Sequence, residues 1–362
     1  MAIQNPFRAR LAARMPILFD GGMGTELYAR GVSYERCFDE LNLSQPDLVQ
    51  EVHRAYIAAG AEVIETNTFA ANRVQLAPFG LEARVRDINF RGVRLAREAK
   101  EVSGESVFLA GSVSSVGQPL APVGTIKPDE ARAIFAEQIE ALLEGGVDLL
   151  VLETFVDLAE LREAVRAAQA VSADLPIIAE VTIAEDGDTL AGGTPEDVAQ
   201  TLASLRVDAL GVNCGVGPQA TLDAIRRMRP HTTVPLAAMP NAGYPATVGR
   251  RRLYVASPAY FADYARRFVD AGATIVGGCC GTTPAHIAAM RDALHDLAAA
   301  SVEAPAATPR RPVTLDGPSD LASPEASHDT ASQATETDGA SSKPGELGEG
   351  RGRPSLARKL RA

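Results

Sequence analysis

The chain has 362 residues, no tryptophan, 46% apolar residues and a formal net charge of −11 at pH 7. This composition is typical of a globular protein, and the negative charge argues against broad binding to nucleic acid. The N-terminal stretch MAIQNPFRARLAARMP lacks the apolar core and cleavage site of a secretory signal. No apolar run is long enough to span a membrane. We therefore expect a cytoplasmic protein with reduced thiols.

Eight short runs of apolar and β-branched residues follow one another along the chain. Runs of this length and composition are typical of buried parallel strands. In chain order they are 17–20 (ILFD), 62–66 (EVIET), 107–113 (VFLAGSV), 148–154 (DLLVLET), 176–182 (PIIAEVT), 208–213 (DALGVN), 235–239 (PLAAM) and 274–279 (TIVGGC).

The segments between these runs carry the start and stop signals of helices. Thr194, Ser257 and Thr283 each stand directly before a proline, which predicts an N-cap followed by proline at the first helical position. The stretches AAGAEVIET, EGGVDLLVLET and DAGATIVGG each place glycine after a helix and just before a strand. Eight strand–helix units over roughly 280 residues predict a (β/α)8 barrel.

An open, doubly wound sheet is the alternative fold. Such a sheet normally shows a G-x-G-x-x-G phosphate motif after its first strand. The stretch DGGMGTE at 20–26 has some of these glycines but not their spacing, and Asp20 would repel a pyrophosphate. The barrel is therefore the preferred prediction.

The composition changes near residue 303. From there Pro, Ser, Thr, Ala, Gly and Glu dominate, and aromatic residues are absent. A segment of this kind cannot bury enough apolar surface to offset the entropy lost on ordering. We predict a barrel domain over 1–302 and a disordered tail over 303–362.

Three of the four cysteines lie where predicted strands end. Cys214 follows the sixth strand in GVNCG, and Cys279 and Cys280 close the eighth between glycines. Because active sites of such barrels lie at the carboxyl ends of the strands, these thiols can meet at one rim. Three thiolates favour a Zn²⁺ site with one open position, although core packing is an alternative for any buried cysteine. We interpret Cys37 as such a core residue.

Two strand-end carboxylates, Asp20 and Glu153, are placed to bind an ammonium group; a third acid, Glu65, ends the second strand. The successive amides at 21–23 (Gly21, Gly22 and Met23) could hold a carboxylate as a backbone nest. Zinc with three thiolates activates water poorly but holds a substrate thiol as thiolate. A thiol-bearing amino acid satisfies all of these features, and thiol alkylation fits better than hydrolysis.

These motifs resemble the zinc-dependent homocysteine S-methyltransferase family over residues 12–298. They are DGGMGTEL, AGAEVIETNTFAANRVQL, LVLETF, GVNCG, MPNAG and GGCCGTTP. The resemblance implies a (β/α)8 barrel that methylates homocysteine to methionine through a zinc-bound thiolate. It implies Cys214, Cys279 and Cys280 as zinc ligands and Asn241 as a fourth ligand when substrate is absent. It assigns the substrate amino group to the two carboxylates and the substrate carboxylate to the nest.

The methyl donor is less closely defined. ETNTFAANR and CCGTTP are most similar to the homocysteine domain of cobalamin-dependent methionine synthase and of enzymes fused to methylenetetrahydrofolate reductase. The residues after 300 show no cobalamin, folate or reductase domain. We expect methylcobalamin or a folate-linked donor, either as a free small molecule or on a separate cobalamin- or folate-binding protein. S-methylmethionine and S-adenosylmethionine users usually read CCRTTP where this chain has Gly281, and betaine users carry further aromatic residues. These direct donors stay alternatives.

Two other classes of function are weighed. A zinc hydrolase would place histidines at strand ends, and no predicted strand end carries one. A non-catalytic protein that binds zinc and homocysteine is the remaining alternative.

Overall fold

The computed structural model describes residues 5–248 and 251–303. Within these residues the strands are β1 (Ile17–Leu18), β2 (Val63–Glu65), β3 (Phe108–Val113), β4 (Leu149–Phe155), β5 (Ile177–Val181), β6 (Ala209–Asn213), β7 (Leu236–Met239), β8 (Ala246–Val248), β9 (Arg251–Leu253) and β10 (Ala273–Val276). The predicted tail, apart from its first residue, lies outside the described residues.

Helices alternate with the strands. The α-helices are α1 (Pro6–Ala12), α2 (Met23–Ala29), α3 (Leu41–Ser44), α4 (Pro46–Ala59), α5 (Arg73–Leu76), α6 (Val85–Ser103), α7 (Pro128–Gly145), α8 (Leu158–Val171), α9 (Pro195–Ser204), α10 (Pro218–Met228), α11 (Pro258–Asp270) and α12 (Pro284–Glu303). Short 3-10 turns cover Ala77–Phe79, Glu82–Arg84 and Arg229–His231. None of the described helices is long and apolar enough to cross a membrane.

Eight parallel strands form the barrel in the order β1-β10-β7-β6-β5-β4-β3-β2, and β8 and β9 pair as a separate antiparallel ribbon. A parallel bridge between Phe19 and Val63 joins the two ends of this sheet. The Asp20 N–H donates to the Val63 carbonyl at 3.1 Å, and the Glu62 N–H donates to the Leu18 carbonyl at 2.8 Å. The predicted (β/α)8 barrel is therefore confirmed, and the open sheet is excluded.

Apolar side chains fill both faces of the barrel strands. On β4, Leu149 and Val151 belong to the cluster inside the barrel, whereas Leu150 and Leu152 belong to the cluster between the strands and the helices. This two-sided burial explains why the strands appear as continuous apolar runs. Phe7 of α1 joins the inner cluster and contacts Phe108 edge to face at 5.4 Å, so α1 covers the amino-terminal end of the barrel.

The predicted helix starts are largely confirmed. Thr194 and Asp197 form a capping box at α9, and the Ser257 side chain accepts from the Tyr260 N–H at α11. Thr283 differs, because its hydroxyl pairs with Nδ1 of His286 at 2.9 Å. Its carbonyl still accepts from the His286 N–H, so α12 begins at the predicted proline.

The predicted helix ends are also confirmed. Gly60 and Gly146 directly follow α4 and α7, and Gly272 follows α11 after one further residue. Their φ angles of 99°, 90° and 96° lie in the left-handed region, which glycine adopts without strain. Each glycine reverses the chain into the next strand.

His53 on α4 predicts a pH dependence of stability. It is fully buried, neither ring nitrogen has a hydrogen-bond partner, and burial lowers its pKa from 6.5 to about 4. Above pH 6.5 the His53 side chain is neutral in both the folded and the unfolded state. As the pH falls from 6.5 towards 4, the unfolded chain takes up a proton that the folded chain does not, so the free energy of unfolding decreases.

We expect His53→Leu to reduce the loss of unfolding free energy between pH 7.5 and pH 5 by about 2 kcal/mol. Urea unfolding at the two pH values measures this difference. Replacing the exposed His295 with leucine is the matched control for the loss of a histidine. An identical pH dependence in wild type and His53→Leu would contradict the expectation.

Candidate active site

The three strand-end cysteines come together at the carboxyl ends of β6 and β10. The sulfur atoms of Cys214, Cys279 and Cys280 all lie within 4.8 Å of one another, and Cys214 Sγ lies 3.9 Å from Cys280 Sγ. Sulfur atoms around one tetrahedral zinc ion are about 3.8 Å apart, given Zn–S bonds near 2.3 Å. Among the described residues, no other group of three His, Cys, Asp or Glu side chains has such a geometry. The cluster therefore fits a single metal ion.

The end of β7 and the loop after it hold all three cysteines through the main chain. The Cys214 N–H donates to the Met239 carbonyl at 3.0 Å, and the Cys279 N–H donates to the Pro240 carbonyl at 2.9 Å. The Cys280 carbonyl accepts from the Ala242 N–H at 2.9 Å. Cys214 itself has a φ of 55°, a left-handed conformation that is uncommon outside glycine and concentrates at functional sites.

Asn241 lies in the same loop. Its side chain is 5% exposed, and its Oδ1 atom has no hydrogen-bond partner. A buried carbonyl oxygen without a partner is costly unless a ligand satisfies it. This observation agrees with the role of fourth metal ligand, which stays a prediction.

The thiols influence one another's ionisation. Hydrogen bonds from Cys214 and Cys279 hold the pKa of the Cys280 thiol well below its usual range. Hydrogen bonding to Cys214 and Cys280, together with burial, holds the pKa of Cys279 well above it. The neighbouring thiols thus stabilise one thiolate, and its negative charge disfavours ionisation of the next thiol. A bound cation is what would allow all three to ionise.

Glu153 at the end of β4 is held in a fixed orientation. Its Oε1 accepts from the Ser112 hydroxyl at 2.6 Å, and its Oε2 accepts from Asn213 Nδ2 at 3.0 Å. The Thr154 N–H donates to Asn213 Oδ1 at 2.7 Å, so the amide of Asn213 connects β4 to β6. Thr154, which follows Glu153 in the chain, has a φ of 61°. A strained residue therefore lies beside the carboxylate that is a candidate for binding the substrate.

Asp20 is buried, and its role in binding the substrate ammonium stays a prediction. It is 3% exposed, and its Oδ2 accepts from the Glu65 N–H at 3.0 Å. Glu65 lines the cavity, and Asp20 does not. Burial, with the charge of Glu153 adding to it, raises the pKa of Asp20 well above its usual range. A substrate ammonium nearby would favour the ionised form.

Glu180 on β5 is a buried acid that the sequence interpretation missed. It is fully buried, and neither carboxyl oxygen has a partner. Burial, with the charge of Glu153 adding to it, raises the pKa of Glu180 well above its usual range, which favours the neutral acid. The available signal was one acidic residue inside the apolar run PIIAEVT.

The amides at 21–23 are only partly available for a carboxylate. The Gly22 N–H donates to the Thr282 hydroxyl at 3.1 Å and lies 3.3 Å from the Thr282 carbonyl. Met23 begins α2, where the first amides have no acceptor within the helix. The predicted carboxylate site therefore depends mainly on the Gly21 and Met23 amides.

One cavity of about 350 Å³ opens between these residues. Its inner wall contains the candidate site residues Gly21, Gly22, Met23, Glu65, Glu153, Cys214, Cys279 and Cys280. Its outer wall contains the aromatic residues Tyr34, Phe38, Phe69 and Phe79. The lining of the cavity therefore combines acidic, thiol and aromatic groups.

Cys37 also lines this cavity but stands apart from the three-cysteine cluster. It is half-buried and packs partly against a small apolar cluster. Burial raises the pKa of its thiol to about 11. The sequence placed Cys37 in the core, and its position on the cavity wall was not predicted.

A closed parallel barrel with a cluster of three cysteines that fits a metal ion, beside a cavity lined by acidic residues, defines the class as a barrel enzyme that acts on thiols. The sequence profile of the homocysteine S-methyltransferase family matches residues 17–294. The chain belongs to this family.

Relatives and solved structures agree with the match. Methionine synthase of Mycobacterium tuberculosis is 32% identical over 292 residues, which is 77% of this chain and 24% of the relative. Methionine synthase of Mycobacterium leprae is 32% identical over 289 residues. The chain spans about a quarter of the length of these relatives. The metallated form of the homocysteine methyltransferase MmuM from Escherichia coli is 30% identical with a TM-score of 0.68, covering 80% of this chain and 99% of that one.

Proposed function

We propose that the protein methylates the sulfur of L-homocysteine to give methionine, with Zn²⁺ held by Cys214, Cys279 and Cys280. The observation that carries the proposal is the convergence of three thiols beside the oriented carboxylate of Glu153 in one cavity. When bound by three thiolates, zinc lowers the pKa of a substrate thiol and keeps its sulfur electron-rich. The sulfur forms a bond to the methyl carbon, and the donor leaves with the electron pair of the broken bond.

The protein's own side chains orient the amino-acid end of the substrate. Glu153, fixed by Ser112 and Asn213, accepts hydrogen bonds from the ammonium group. Beside the ammonium group, Asp20 shifts towards its ionised form, and the Gly21 and Met23 amides receive the carboxylate. Holding both ends of the substrate brings the sulfur and the methyl carbon into a reactive geometry.

We further propose that the methyl group comes from methylcobalamin or a folate-linked donor, presented by a separate protein. The similarity to mycobacterial methionine synthases supports this donor class. S-methylmethionine, S-adenosylmethionine and betaine are the alternatives. The thiol cluster requires a reducing compartment, so we place the protein in the cytoplasm.

Methionine formation by the zinc-loaded protein tests the proposal. Homocysteine is offered with methylcobalamin, S-methylmethionine, S-adenosylmethionine or betaine in parallel, with Cys214→Ala as the inactive control. Turnover with one donor identifies it. If none of the four donors supports methionine formation while homocysteine still binds, a carrier protein is required. Failure to bind homocysteine would contradict the proposed function.

A further inference from the structure

Thr282 joins the loop after β1 to the loop that carries Cys279 and Cys280. It is fully buried. Its hydroxyl accepts from the Gly22 N–H at 3.1 Å and donates to the Cys279 carbonyl at 2.6 Å. Its own carbonyl accepts from the Tyr56 hydroxyl at 2.8 Å. One side chain thus contacts both the segment proposed to bind the substrate carboxylate and a proposed metal ligand.

The glycines of both loops provide the space that Thr282 occupies. A Cβ atom at Gly21 would lie 2.6 Å from the Thr282 hydroxyl oxygen, and one at Gly278 would lie 2.4 Å from it. A Cβ atom at Gly22 would lie 2.6 Å from the Cys279 carbonyl oxygen. Real side chains essentially never approach this closely, so the loops can only dock around Thr282 because these positions are glycine.

Two other contacts keep the loops together without linking the same groups. The Gly281 N–H donates to the Thr25 hydroxyl at 3.0 Å, and the Gly278 N–H donates to the Asp20 carbonyl at 3.0 Å. These bonds should preserve the overall docking if the Thr282 hydroxyl is removed. The main chain of Thr282 also links Gly22 and Cys279, because the Gly22 N–H lies 3.3 Å from the Thr282 carbonyl and the Thr282 N–H donates to the Cys279 carbonyl at 3.1 Å. The hydroxyl is the side-chain part of this bridge.

We propose that Thr282 is a positioning residue that fixes the separation between the amino-acid subsite and the sulfur subsite. The inference rests on the proposed function. A substrate held at both ends must match that separation, so a rigid bridge favours homocysteine over cysteine, which is shorter by one methylene. A thiol without amino and carboxylate groups contacts only the sulfur subsite, so its affinity does not depend on the bridge.

The test uses the full chain loaded with Co²⁺, whose charge-transfer absorption reports thiolate binding. Wild type and Thr282→Val are titrated with L-homocysteine, L-cysteine and 1-propanethiol. Loss of the two hydrogen bonds should raise the Kd for homocysteine about tenfold. The Kd for 1-propanethiol should stay within about twofold of wild type, because metal binding is retained. The preference for homocysteine over cysteine should fall correspondingly.

Three further variants sharpen the comparison. Thr282→Ser keeps the hydroxyl and should restore the wild-type preference. Tyr56→Phe removes only the bond to the Thr282 carbonyl, so it should shift the preference in the same direction by a smaller factor even if Thr282→Val folds poorly. Thr221→Val is the matched control, because Thr221 is a buried threonine on α10 whose hydroxyl has no partner.

Equal weakening of homocysteine and 1-propanethiol by Thr282→Val would overturn the proposal, because Thr282 would then support only the metal site. An unchanged preference for homocysteine over cysteine would overturn it as well. If homocysteine produces no spectral change in the wild-type cobalt protein, the proposed function itself fails, and that result is visible before any variant is compared.

Discussion

Replacing Cys214 with alanine will remove metal binding and methyl transfer together. The three cysteines are the proposed metal ligands, and two thiols would leave the ion with too few protein ligands. Zinc sites gain about 10–16 kcal/mol from their full ligand set, so one lost thiolate weakens binding by about 3–4 kcal/mol, or several hundredfold. Activity should fall at least as far, because the substrate thiol would no longer be held as a thiolate.

Zinc content after dialysis, competition with a chromophoric chelator and kcat/KM measure this effect. Cys37→Ala is the matched control, since Cys37 lines the same cavity but lies outside the cluster. We expect this variant to keep its zinc and its activity. A Cys214→Ala protein with normal zinc content and turnover would refute the metal centre.

The barrel and its cysteine cluster could be predicted from the sequence for a physical reason. Parallel strands place all their carboxyl ends on one rim, so residues distant in sequence meet there once the strands are recognised. Cys214 and Cys280 are 66 residues apart and yet lie 3.9 Å apart at their sulfurs. The helix starts and ends followed equally local rules, because proline and glycine act within one or two residues of their position.

The arrangement of the acids could not be predicted in the same way. Both faces of the strands are buried, so a continuous apolar run does not show which residues point into the barrel. Glu180 is a buried acid on β5, and Glu65, to which the sequence analysis assigned no role in substrate binding, lines the cavity. These outcomes depend on the register between neighbouring strands, which is a property of the assembled sheet.

The contacts of Thr282 were hidden for a related reason. In the sequence, CCGTTP indicates a turn before a helix, which explains the proline and the threonine directly before it. The bond from the Gly22 N–H to the Thr282 hydroxyl spans 260 residues of sequence. This bond becomes visible only when the two loops dock in the structure. The glycines that permit the docking were visible in the sequence, but the reason for them was not.

Replacing Glu153 with glutamine should impair homocysteine binding and spare the metal. Glutamine keeps the size of the side chain but removes the negative charge that faces the substrate ammonium. Losing a buried, charge-assisted hydrogen bond costs about 3 kcal/mol, so kcat/KM for homocysteine should fall roughly a hundredfold. The change should appear mainly in the KM for homocysteine.

Zinc content and steady-state kinetics separate the two subsites. Glu160→Gln is the matched control, because Glu160 is also buried and bonded to a serine hydroxyl and a backbone N–H, yet it does not line the cavity. That variant should retain the wild-type KM. On the cobalt-loaded protein, Glu153→Gln should weaken homocysteine but not 1-propanethiol, since only the former carries an ammonium group. If both thiols weaken equally, Glu153 acts on the sulfur cluster, and the division of the cavity into an amino-acid end and a sulfur end is wrong.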